Sequence, residues 1–370
     1  METVSLLRQL IAIDSTSTRP NRPVLDLLES VVRPLGFETV QSFWTDAAGV
    51  EKGNLVCRRG PDERGGLALV GHSDCVPYDP DWAEALSGVE RDGSIFGRGA
   101  ADTKGFVACA ITAASRVRNT APLWLLFTAD EEDGCWGAKR LLERDRPRPA
   151  KAIVGEPTRL VPVRAHKGYC AVDVEVVGVE GHSAFPDVGA SAIHAAAKLV
   201  ADLERVEAAM RDDRDDLFVP PWTTFNVGVI SGGKARNILA GSCQFTLEWR
   251  PVPHQDPERG LTLFDEAARR VEAAAGGRVR VVRSPLRLDK AAVTPADAEI
   301  VRFLEQESGN RAEAIPFGTE LPELIELGAE ACVFGPGDIR VAHRTGEHVA
   351  ISELARATSI LERAIARFCA

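Results

Sequence analysis

Five short segments bearing acids and histidines punctuate this chain, and most come directly after an apolar run. They are GHSDCVP (71–77), GRGAADTKG (97–105), TADEED (128–133), GEPT (155–158) and VAHRTGE (341–347). A chain that repeatedly places His, Asp or Glu at a strand end is assembling one cluster from distant segments. Such a cluster, rich in carboxylate oxygen with a little imidazole, is the donor set that a pair of divalent cations requires.

The surrounding pattern says where such a cluster sits. Residues 67–71 (LALVG), 123–129 (LWLLFTA) and 151–154 (KAIV) read as buried strands, with Ala/Leu-rich helical patterns over 104–117 and 135–144 between them. This alternation predicts an α/β fold with an open twisted sheet, whose chemistry lies at the carboxyl ends of its strands. The texture changes near 168. AVDVEVVGV (171–179) alternates strictly, as a strand with one solvated face does. A helix is expected over 188–209, strands over 223–231 and 242–250, a helix over 257–275 and a strand over 278–283. Two helices on an antiparallel sheet make a separate α+β, ferredoxin-like layer. A helix (295–307), a short strand (331–334) and a closing helix (351–368) then return the chain to the first texture. The predicted organisation is therefore a catalytic, metal-binding domain in two parts, 1–168 and 284–370, with an inserted domain at 169–283.

Composition narrows the function classes. A net charge of −10 with no basic block argues against a nucleic-acid or anionic-membrane binder. No uninterrupted apolar run approaches roughly 18 residues, so no membrane span is expected. In the opening METVSLLRQLIAIDSTS, Leu6, Leu7, Leu10 and Ile11 recur at helical spacing, which reads as a first helix and not a signal peptide. The eight cysteines form no C-x-x-C pair, so reduced buried thiols and a cytoplasmic location are expected.

Each candidate also has an ordinary explanation. His72 and Asp74, spaced H-x-D, fall on one side of a strand but are also common polar groups. Asp102, at a helix entrance, has the helix N-cap as its ordinary role. Glu131 and Glu132 belong to an acidic run that solubility alone explains, Glu156 precedes a proline turn, and His343 fits a surface histidine. Their joint placement at predicted strand ends favours the cluster. Charge balance agrees, since three carboxylates and one hydroxide neutralise two divalent cations and two neutral imidazoles complete the shells.

Taken in order, these segments, with VPVRAHKG, GHSA, RPVP, FGTE and FGPG, resemble the di-zinc aminoacylase and carboxypeptidase family of metallohydrolases over nearly the whole chain. The resemblance implies His72 and Glu156 as terminal ligands of one Zn²⁺ or Co²⁺ ion, Glu132 and His343 of the other, and Asp102 bridging both. It further implies that Asp74 orients His72, that Glu131 is the general base, and that the Asp102–Thr103 peptide is cis. His182, in GHSA, would be an oxyanion donor presented by the inserted domain of a neighbouring subunit, making this a dimerisation and lid domain. Asn237 and the loop Gly318, Thr319 and Glu320 match substrate-contacting positions, and Glu320 is suited to a substrate ammonium. Arg250 is the choice for a substrate carboxylate, because a guanidinium holds one bidentately. A surface ion pair is its ordinary alternative. His166, His194, His254 and His348 read as structural.

The expected reaction is hydrolysis of a small N-acyl amino acid by a homodimer, most similar to the branch that releases acetate and L-ornithine from N2-acetyl-L-ornithine in arginine biosynthesis. Acetylcitrulline and succinyl-diaminopimelate are the alternatives on the same chemistry. A metal-binding scaffold without catalysis would be expected to lack Glu131 or a ligand, and a serine hydrolase would need a G-x-S-x-G elbow that the chain lacks. Two departures touch the pocket wall. RTGE follows the last histidine where relatives carry Pro-Asn/Asp-Glu, although Glu347 keeps its spacing, and Gly318 stands where relatives of this specificity often carry Cys before Thr-Glu.

Overall fold

Every residue of the strands Leu67–His72 and Leu123–Thr128 is buried, and so is all of Lys151–Val154 except its first residue. Runs of this kind do not alternate because helices cover both faces of a mostly parallel sheet. The computed structural model describes residues 2–370. Within them, strands follow the spatial order Glu38–Thr45, Glu51–Arg59, Leu123–Thr128, Leu67–His72, Lys151–Val154, Glu330–Val333. The last four run parallel, and the first two form an antiparallel hairpin along one side. Helix Lys104–Arg116 is buried from Lys104 to Ala114, and its small side chains (VACAITAA) let it pack closely on the sheet and on the closing helix Ile351–Phe368. Fully burying each Leu, Ile or Phe of this core contributes about 1.5–3 kcal/mol.

The chain forms two compact units, one of Met1–Arg164, Thr294–Glu313 and Thr319–Ala370, the other of Ala165–Val293 and Ala314–Gly318. The second unit holds a four-stranded antiparallel sheet in the order Thr224–Gly232, Ser242–Arg250, Tyr169–Val177, Arg280–Asp289. On its covered side Val172, Val174 and Val176 meet Leu199 and Phe264 of the helices Ala192–Met210 and Glu258–Ala274. Asp173, between the valines, faces outward, which is the alternation read in the sequence.

Several elements differ from the sequence reading. The strand expected to end at 283 continues to Asp289, extending the second unit past the limit placed there. The helix expected from 188 begins at Ala192, because Ser191 caps it by accepting the His194 amide, and Pro186–Val188 is a separate turn. The helix expected over 135–144 is α-helical only over Trp136–Arg140, continues as a wider π turn over Leu141–Asp145, and stops at Arg146 in a left-handed conformation. All eight cysteines are buried, and none is in a disulfide. Among the described residues no helix is long and apolar enough to cross a membrane.

Candidate active site

Strand order brings three of the five segments together. Leu123–Thr128, Leu67–His72 and Lys151–Val154 are parallel neighbours, so TADEED, GHSD and GEPT leave the sheet side by side at its carboxyl edge. Asp102 arrives just ahead of helix Lys104–Arg116, across a cis peptide to Thr103, and His343 from the loop beyond strand Glu330–Val333. Gly155 is required here by space. A Cβ on it would lie 2.0 Å from the Phe106 ring, so only glycine lets the chain pass that ring and deliver Glu156.

The result is two groups of possible metal ligands, His72–Asp102–Glu156 and Asp102–Glu132–His343, each with donor atoms within 4.8 Å of one another. Asp102 belongs to both. One of its carboxylate oxygens lies 3.0 Å from His72 Nε2 and the other 3.2 Å from His343 Nε2. His343 Nε2 also lies 3.1 Å from Glu132 Oε2. His343 has a φ of 58°, a left-handed conformation uncommon outside glycine.

The electrostatics are those of a cluster built for cations. Burial, reinforced by the Asp102 carboxylate, pushes the Glu156 carboxyl well above its usual range, and the same two causes raise Glu132. Burial also pushes Glu131 up to about 8, with the His72 imidazole opposing and the Glu132 and Glu320 carboxylates adding to it. Burial works against ionised Asp102 too, but hydrogen bonds from His343 and His72 outweigh it and hold this acid below its ordinary value. Four acids this close cannot all ionise without positive charge among them. Oε1 of Glu132 is buried with no hydrogen-bond partner, which is costly for a carboxylate unless a cation takes it. A hard-to-borderline divalent ion fits this oxygen-rich donor set.

Asp74 approaches His72 more closely through its main chain than through its side chain. His72 Nδ1 lies 3.0 Å from the backbone carbonyl of Asp74, whereas the carboxylate is 3.7 Å away. That carboxylate instead accepts the backbone amides of Glu131 and Glu132, at 3.2 and 3.4 Å, and the Ser17 hydroxyl at 2.9 Å. One residue thus orients the imidazole through its main chain and anchors the Glu131–Glu132 turn through its side chain.

Sequence reasoning passed over Lys52. Its ammonium is buried, 2.7 Å from Asp130 Oδ1, and also donates to the Ser17 carbonyl. Asp130 has a φ of 52° and directly precedes Glu131. The available signal was a lysine just ahead of the apolar run Leu55–Cys57 of strand Glu51–Arg59, since a charge is rarely buried without a partner. Lys52→Met leaves Asp130 buried and unpaired, and about 3–5 kcal/mol should be lost from this unit in denaturant unfolding. A loss below about 1 kcal/mol would show the pair to be dispensable.

The remaining candidates separate. Thr319 and Glu320 belong to the first unit and are buried at 3% and 1% exposure; Glu320 Oε1 lacks a partner, and burial pushes its carboxyl up to about 7. His182, Asn237, Arg250 and Gly318 belong to the second unit. There the exposed His182 sits in a two-residue strand opposite Ile238, and the Asn237 carbonyl accepts the Ser183 amide at 3.1 Å. His182 Nδ1 accepts the Ala184 amide, which leaves Nε2 as the N–H of the neutral ring. Arg250 lies over the Tyr169 ring, 3.7 Å from its centroid, and pairs with Glu248 at 3.0 Å.

Residues 68–367 match the model of peptidase family M20/M25/M40. The chain belongs to this family. It is 52% identical to an acetylornithine deacetylase of Myxococcus xanthus, over 98% of this chain and 96% of that protein, and 34% identical to one of Photorhabdus laumondii, over 99% and 97%. Among solved structures, an M20 family metallo-carboxypeptidase of Sulfolobus solfataricus superposes with a TM-score of 0.79 at 17% identity, covering 99% of this chain and 98% of that one. The aminopeptidase PepT of Bacillus cereus gives 0.77 at 22% identity, covering 98% and 97%. These likenesses show the fold: a mixed α/β sheet with a separate antiparallel-sheet insert, as the sequence predicts.

Proposed function

We propose that this chain is a two-metal amidohydrolase that removes the acetyl group from N2-acetyl-L-ornithine, giving L-ornithine and acetate for arginine biosynthesis. The observation that carries the reading is the pair of ligand triads sharing Asp102. Its specificity rests on 52% identity, along 98% of the chain, to an acetylornithine deacetylase.

In this reading His72 and Glu156 hold one ion, Glu132 and His343 the other, and Asp102 lies between them. Zn²⁺ and Co²⁺ both suit this donor set. When bound, such ions supply Lewis acidity toward the acyl carbonyl and make water a nucleophile at neutral pH. The rest falls to the chain. Glu131 takes the proton from the attacking water and returns it to the departing amine, and its raised affinity for a proton suits both halves of that task. His182, with Nε2–H free to donate, stabilises the oxyanion from the inserted unit of a second copy. Arg250 holds the substrate α-carboxylate, steadied by the Tyr169 ring, while Asn237, Gly318 and Thr319 line the substrate. Glu320, an acid without a partner on Oε1, favours a substrate carrying an ammonium.

A homodimer follows from the role given to His182. It is supported by the edge strand Thr224–Gly232, where Val229 and Ile230 are 68% and 53% exposed. The first unit is then catalytic and the second an inserted dimerisation and lid domain. Eight cysteines outside any disulfide suit the reducing cytoplasm.

The test is kcat/KM for acetylornithine, acetylcitrulline, acetylmethionine and succinyl-diaminopimelate on metal-loaded protein. Acetylornithine should lead by at least about tenfold, the effect of some 1.4 kcal/mol of selective binding. A lead for another substrate would overturn the specificity while leaving the chemistry. Chelation should abolish activity and Zn²⁺ or Co²⁺ restore it; turnover that survives chelation would overturn the chemistry.

A further inference from the structure

Three of the ligand-bearing loops meet at one buried ion pair. Glu347 is fully buried and Arg98 is 3% exposed, with Arg98 Nη1 2.5 Å from Glu347 Oε2. The other oxygen of Glu347, Oε1, accepts the backbone amides of Ala101 and Asp102, at 3.0 and 3.1 Å. The second arm of the guanidinium donates to the Pro77 carbonyl at 3.3 Å. The pair therefore touches the segment that begins at His72, the segment that ends in Asp102, and the segment that begins at His343.

The local fold explains why a side-chain pair is needed here. Strands Ser94–Phe96 and His348–Ala350 pair antiparallel, with Phe96 opposite His348 and their rings 4.7 Å apart. The Gly97 amide then donates to the Glu347 carbonyl, and beyond this bond the two chains diverge into irregular backbone. Gly97, Gly99, His343 and Gly346 all have positive φ there. Among the described residues, no sheet or helix hydrogen bond joins the segment 98–102 to the segment 343–346. The Glu347 carboxyl group bridges the gap through Oε1, and the buried Arg98 guanidinium holds its Oε2.

We infer that Arg98 and Glu347 are positioning residues of the metal centre: they hold the backbone of the shared ligand Asp102 in register with the loops carrying His343 and His72. This rests on the two-metal reading above. Because Asp102 serves both triads, loosening it should weaken both ions together. Partners that orient metal ligands typically change affinity by about 10–100-fold when removed.

The experiment compares the parent protein with Glu347→Gln, Arg98→Met, Arg98→Lys and Leu361→Ala. Glu347→Gln keeps an oxygen for the two amides but loses the charge and turns an N–H toward Arg98. Leu361, fully buried in the closing helix, serves as a destabilised control remote from the ligand loops. Co²⁺ binding is titrated on metal-free protein by visible absorption, and hydrogen exchange of residues 99–104 is followed before metal is added.

Glu347→Gln and Arg98→Met should raise both Co²⁺ dissociation constants about 10–100-fold, shift the absorption bands and speed exchange at Ala101 and Asp102. Arg98→Lys, which keeps the charge without the two-armed fork, should fall between these variants and the parent. Leu361→Ala should lower the melting temperature with Co²⁺ affinity and spectrum unchanged. Unchanged affinity and spectrum in Glu347→Gln and Arg98→Met, with the parent binding two ions, would overturn the inference alone. So would equal weakening in Leu361→Ala. A parent that binds no Co²⁺ would overturn the two-metal reading and this inference with it.

Discussion

Glu131→Gln is expected to lower kcat by at least about 10²–10⁴-fold while the protein still takes up two metal ions and melts at an unchanged temperature. The separation of effects follows from position. Glu131 belongs to neither ligand triad, although it stands next to Glu132, which does. Its backbone amide, not its side chain, makes the bond to Asp74 that anchors the turn, so an amide side chain leaves the anchor intact. What changes is the carboxyl, pushed up to about 8 chiefly by burial. A carboxyl group can take a proton from water and then give it to an amine, and glutamine can do neither. Turnover within about tenfold of the parent would remove Glu131 from the chemistry. Loss of one metal ion would instead make it a ligand. Asp74→Ala provides the contrast: it frees the amides of both Glu131 and Glu132, so metal content and turnover should fall together.

The contrast also shows how much of this centre could be read from the sequence. His72, Glu131, Glu132 and Glu156 could be grouped from the sequence because each stands just past an apolar run, and a parallel sheet brings such ends together. Asp102 precedes a helix, whereas His343 lies in a loop beyond its strand and is joined to them by the resemblance. Strand order then does what no spacing could, placing TADEED beside GHSD and GHSD beside GEPT. The hairpin Glu38–Thr45 with Glu51–Arg59 was not legible, since its outer strand is an edge of mixed burial without clean alternation. The supporting residues were least visible. Lys52, Arg98 and the carboxylate of Asp74 act on backbone amides and carbonyls of loops, and such partners are set by three-dimensional approach. Glu347 kept its distance from His343 in the sequence, but its target, the Asp102 amide, lies 245 residues away.

Metal uptake by the apo-protein is expected to release protons and to strengthen steeply as pH rises. Hydrogen bonds to Asp102 and Glu132 push His343 up to about 10 in the metal-free protein. Burial opposes protonation of His72, yet its bond to Asp102 and the surrounding carboxylates outweigh this and hold it well above its ordinary value. Both imidazoles therefore carry a proton near pH 7, and a ring nitrogen can bind a cation only after losing it. Protons and metal compete, so lower pH favours the empty site. Each triad contains one histidine, which gives about a tenfold gain in apparent affinity per pH unit per site, continuing for the His343 site toward about pH 10. Toward lower pH the slope should steepen, because burial also raises the proton affinity of Glu132 and Glu156. Asp102, held low by its two histidines, stays ionised through this range and keeps the shared position available. Titration calorimetry of Zn²⁺ into apo-protein, in buffers of different ionisation enthalpy, counts the protons directly. At about pH 7.5 at least one proton should leave per ion bound. A count near zero with pH-independent affinity would mean that the imidazoles are already neutral, and that the four acids share their charge with some partner other than His72 and His343.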